Sequence, residues 1–84
     1  MKIEQATDWQ EVKSSLLKQM QSVGYNPDFN KMIKNIDSMI TVLSKIEVEA
    51  RRIRKSKLVQ NQLEDINKAI DHLEKLLLMA QLMK

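Results

Sequence analysis

His72 is the only histidine in this 84-residue chain, and cysteine is absent. Thiolate ligands, disulfides, cysteine nucleophiles and paired imidazoles are therefore out of reach within one copy. Carboxylates are the remaining candidates for acid–base work, above all Asp8, Glu11, Glu64, Asp65, Asp71 and Glu74. Yet Glu47 and Arg51, Glu64 and Lys68, and Asp71 and Lys75 each stand four apart with the acid first. On a helix that spacing makes ordinary surface ion pairs, worth about 0.2–0.5 kcal/mol each. None of the serines, at 14, 15, 22, 38, 44 and 56, has a histidine or a glycine-rich elbow beside it. These residues describe a protein that is not an enzyme and that takes no cofactor, metal or small-molecule substrate.

A second chemistry-bearing group is basic. Arg51, Arg52, Arg54, Lys55 and Lys57 fall within seven residues that contain no acid. The net charge of +3 comes from this cluster, since the rest of the chain sums to −2. Such a cluster could neutralise phosphates, each contact releasing counterions. On a helix, however, the five charges spread around the axis, and no aromatic residue lies near them for base stacking. A solvated turn that blocks mispairing of helices explains the cluster as well. Contact with an acidic protein surface is a third use.

The elements that would position these groups are helical. Leu, Ile, Met, Lys, Gln and Glu dominate, with one Gly, one Pro and 4% aromatic residues, which disfavours a many-stranded fold. Trp9, Val12, Leu16, Met20 and Val23 recur at gaps of 3 and 4, predicting a helix over about 8–23. Thr7 and Gln10 have the spacing of a capping box at its start. Gly24 suits the left-handed residue just past its end. Asn26 can cap the next helix, with Pro27 at its first position. Tyr25 and Phe29 flank this turn and are expected to pin it to the open end of a helical hairpin formed by the rest of the chain.

Beyond residue 27 no Gly or Pro interrupts the chain. Phe29, Met32, Ile36, Met39, Leu43, Ile46, Ala50 and Ile53 form one heptad seam. Val59, Leu63, Ile66, Ile70, Leu73, Leu77 and Ala80 form another. The two are one residue out of register between Ile53 and Val59, which turns the apolar face by about 100°. Either the chain breaks there, giving a hairpin of helices over about 27–53 and 58–83, or one coiled-coil helix of about 55 residues runs through. The break is the favoured reading, as an all-α single domain over 1–84: a short N-terminal helix on a long helical hairpin. The three then form a bundle, with the basic cluster at its tip.

The apolar surface is wider than one seam in two places. Ile33 and Ile40 broaden the second helix, and Leu76, Leu78, Met79, Leu82 and Met83 make the end of the third apolar on most sides. One short helix is too little to cover both, so these residues are expected to form an interface. The expected function is a small adaptor, chaperone-like or regulatory protein that self-associates and binds another protein. The alternative is a nucleic-acid-binding regulator working through Arg51–Lys57. No signal-peptide core opens the chain, and its longest dense apolar run, Leu76 to Met83 interrupted by Gln81, is far short of the roughly 20 residues a membrane span needs. A cytoplasmic location follows as the expectation, in bacteria or in a virus-infected host cell, with no membrane partner.

Overall fold

Three helices account for nearly all of the chain. The computed structural model describes residues 2–53 and 56–83, with backbone alone for 50–53 and 56. A 3-10 turn at Ala6–Asp8 leads into α1 (Trp9–Val23), followed by α2 (Pro27–Ile53) and α3 (Ser56–Leu82). No strand occurs among the described residues. α2 and α3 each have 27 residues. The principal dimensions are 49 × 18 × 15 Å. One continuous helix beyond residue 27 would need about 80 Å at 1.5 Å per residue. That alternative is therefore excluded. α2 and α3 instead pack against one another, and α1 packs against both.

The helix ends follow from local chemistry. The Gly24 N–H donates to the Met20 carbonyl at 3.1 Å and closes α1. Gly24 has φ +96° and ψ 170°, a positive-φ region that essentially only glycine occupies, although its ψ lies outside the left-handed helical well that was expected. The Asn26 Oδ1 accepts from the Asp28 N–H at 2.9 Å and caps α2, with Pro27 as its first residue. At the other end of α1 the expected pairing of Thr7 with Gln10 gives way to a different device. Thr7 lies inside the 3-10 turn, and the Asp8 carboxylate reaches back to accept from the N–H groups of Glu4 and Gln5 at 2.9 and 3.2 Å. The preceding segment is tied down by tertiary contacts, and the cap forms where that segment arrives.

Both seams and the α1 stripe face inward. Trp9, Val12, Leu16 and Met20 from α1, Phe29, Ile33, Ile36 and Leu43 from α2, and Ile66, Ile70, Leu73 and Leu77 from α3 are buried in one cluster. Met32, Met39, Val59, Leu63 and Ala80 pack half-buried at its margin. The side chains of Ala50 and Ile53, also assigned to the first seam, lie outside the described residues. Tyr25 departs from expectation, being 85% exposed. Phe29, the first core position of α2, takes the place at the turn that Tyr25 was expected to share.

Leu77 is fully buried, whereas its neighbour Leu78 is more than half exposed. Leu77→Asp should abolish cooperative thermal unfolding monitored by circular dichroism. An unpaired carboxylate in the core costs several kcal/mol, about the whole stability of a domain this size. A retained transition within a few degrees of wild type would contradict the core described above.

Candidate interaction surface

The exposed apolar surface is concentrated at the end of α3. Leu78, Met79, Leu82 and Met83 are 57%, 56%, 78% and 85% exposed. At about 100° per residue the four fall within one arc of about 140°. One and two turns earlier the same face carries Asp71, His72 and Lys75, all exposed. Asp71 and Lys75 form the expected ion pair there, at 3.1 Å. The face is thus polar up to Lys75 and apolar beyond it. Leu76, just past one margin of the arc, is half-buried, and the exposed Gln81 lies about 60° beyond the other margin.

The other residues assigned to an interface are placed differently. Ile33 is buried among the core residues, which withdraws it from any surface. It widens the stripe of α2 because α2 is covered on more than one side: α3 packs along it and α1 packs beside it. Ile40 is half-buried at the core margin. Of the basic cluster, Arg54 and Lys55 lie outside the described residues, as do the side chains of Arg51 and Arg52. Lys57, in the first turn of α3, is exposed.

Three polar side chains that sequence periodicity does not single out, Asp37, Asn67 and Glu47, hold the first residues and α1 in place. The Trp9 indole N–H donates to Asp37 Oδ1 at 2.7 Å, and the Lys13 ammonium reaches Asp37 Oδ2 at 3.0 Å. Trp9 and Lys13 stand one helical turn apart, so one carboxylate on α2 serves both. Earlier in the chain, Ile3 is 2% exposed and joins the core. Its N–H donates to Asn67 Oδ1 at 2.8 Å, and its carbonyl accepts from Asn67 Nδ2 at 3.0 Å. The Ala6 N–H donates to the Glu47 carboxylate, at 3.2 Å to the nearer oxygen. The signal for Ile3 was its being apolar ahead of the first helix, in no stripe. For Asn67 it was a carboxamide beside Ile66.

No group of three or more candidate ligands able to hold a metal occurs among the described residues. Nor does any helix there have the length and apolarity to cross a membrane. Comparison with protein-family models, with curated proteins and with solved structures finds no match to the chain.

Asp8 has a pH signature. The Glu4 N–H, followed by that of Gln5, holds its carboxyl below the ordinary value of 3.8. A depressed folded-state value stabilises the fold above the unfolded-state value, and that contribution is lost as pH falls through the folded-state one. The melting difference between wild type and Asp8→Ala should therefore be present at about pH 7 and shrink towards zero at about pH 2. An equal difference at both would contradict this role for the carboxylate.

Proposed function

We propose that the chain is a non-enzymatic, cytoplasmic interaction protein whose single domain pairs weakly with a second copy through the last turns of α3. In this reading α2 and α3 form an antiparallel hairpin, and α1 covers its open side. The hairpin is supported by the Gln62 Nε2 donating to the Met39 carbonyl at 3.2 Å. Counted outward from that bond, α3 has about eight more residues to run than α2 has before its start, roughly 12 Å less the reach of the glutamine. Leu78, Met79, Leu82 and Met83 then lie largely past the first residue of α2. Leu77 and Ala80, turned inward, remain with the core.

The observation that carries the reading is the exposure of these four side chains on one arc. Weighted by exposure, their burial is worth about 4–8 kcal/mol per copy at roughly 1.5–3 kcal/mol for each side chain. Two copies would gain about twice that, close to the roughly 4–15 kcal/mol that association costs. Such a balance supports a weak dimer. A two-fold axis between Met79 and Leu82 would set Leu78 opposite the second copy's Met83, and methionine tolerates the approximate fit.

The test is mass against concentration by size-exclusion chromatography with light scattering. Wild type should rise from 9.8 kDa towards twice that value as concentration increases through the micromolar range. Leu78→Lys combined with Leu82→Lys should remain at the monomer mass with unchanged helicity. A wild type that stays monomeric up to about 1 mM, or a double variant that associates equally well, would overturn the proposal.

A further inference from the structure

An extended residue presents its N–H and its C=O along the same edge, and a primary carboxamide is the side chain that can pair with both. Asn67 makes this pairing with Ile3, a residue 64 positions away. The isoleucine side chain is at the same time buried in the core. Residues 2–5 therefore lie on α3 as a bound peptide would: one backbone unit is read by an amide, one aliphatic side chain is received in a hollow, and Lys2, Glu4 and Gln5 remain exposed.

Beside Lys2, Ile3 and Glu4 an open groove of about 770 Å³ runs along α3, lined by Gln60, Leu63, Glu64 and Lys68 and reaching Asp71. From Gln60 to Asp71 the helix rises about 16 Å, the length of roughly five extended residues. That volume falls within the range of ligand sites, roughly 300–1,000 Å³. Besides the strap's own Ile3, its lining offers one aliphatic side chain, Leu63, among amides and charges of both signs, which suits a peptide with one aliphatic anchor and polar flanks. The segment around Ile3 has that pattern.

We infer that the Asn67 groove is a peptide-binding site, held in cis by residues 2–5, whose ligand is an extended segment of a partner protein with an aliphatic residue paired to Asn67. A partner segment that displaces the strap takes over the strap's own contacts and, if longer, adds contacts to Gln60, Leu63, Glu64, Lys68 and Asp71 along α3. This site is separate from the apolar end of α3 and does not depend on self-association.

The probe is a fluorescein-labelled peptide KIEQATD, corresponding to residues 2–8, and the readout is fluorescence anisotropy. In the full chain, Ile3→Asp removes the resident side chain and frees the groove. The peptide should bind this variant at least tenfold more tightly than it binds wild type, where the strap competes at high effective concentration. Adding Asn67→Ala, or replacing the isoleucine of the peptide with serine, should weaken binding at least tenfold. Absence of binding to an Ile3→Asp chain that keeps its helicity would overturn the inference, and so would binding indifferent to Asn67. Should Ile3→Asp fail to fold, Asn67→Ala alone decides the matter by amide exchange. The Ile3 amide should then exchange at least tenfold faster while that of Leu73 keeps its protection, and unchanged exchange at Ile3 would overturn the inference. A wild-type dimer that Asn67→Ala dissolves would show the strap of a second copy to be the occupant, and would overturn the assignment to a separate partner.

Discussion

Ile66, Ile70, Leu73 and Leu77 form an unbroken stripe along α3, and each is fully buried. Keeping that stripe dry is the constraint on which the rest of the structure depends. α2 supplies Phe29, Ile33, Ile36 and Leu43 to the same cluster, and α1 supplies Trp9, Val12, Leu16 and Met20. Two helices alone would leave part of the stripe open to water. The turn at Gly24–Pro27 lets a third, shorter helix complete the cover. Gly24 provides the positive φ and Asn26 caps the outgoing helix within three residues. The same constraint bears on the group of exposed apolar side chains at the end of α3. α1 has 15 residues against 27 in α3, and near the end of α3 the inward Leu77 is buried while the outward Leu78, Met79 and Leu82 are exposed.

Polar groups enter this design as locks. The single carboxylate of Asp37 engages both Trp9 and Lys13, fixing α1 on α2. Asn67 and Glu47 fix the first residues on α3 and α2 through backbone groups that would otherwise need water. No buried side-chain nitrogen or oxygen lacks a hydrogen-bond partner among the described residues. The apolar stripes give the driving force, and these contacts choose one arrangement of the helices among several that would bury similar area.

Much of this was legible in the residue order, because helical burial is a local signal. Gaps of 3 and 4 placed Leu16, Ile36, Leu43, Ile70 and Leu73 on inward faces, and all are buried. Glycine before an Asn-Pro pair marked the turn for equally local reasons. Tyr25 misled because its aromatic character says nothing about which way the backbone turns it. Thr7 and Gln10 had the spacing of a cap, but the segment before them is oriented by a contact 64 residues away. Asp37 and Asn67 were invisible for the same reason: each resembles a solvated polar residue until the opposing helix is in place. The excess of apolar residues after Lys75 was legible, whereas Ile33 needed the packed structure to separate a core position from a surface one.

In the proposed dimer the outward face at the end of α3 closes on a second copy. Because the chain has no cysteine, Gln81→Cys gives a unique nitroxide attachment point on an exposed position away from that face. Pulsed dipolar spectroscopy at high micromolar concentration then reads the distance between labels on two copies. Helices packed about 8–10 Å apart, each carrying an outward label, predict an inter-label distance of roughly 20–35 Å. That distance should vanish on dilution with unlabelled Leu78→Lys/Leu82→Lys protein only as far as lower label concentration explains, and should vanish entirely when the labelled chain itself carries both lysines. Absence of a dipolar signal from the labelled wild-type surface, or a distance beyond about 50 Å, would rule out the dimer.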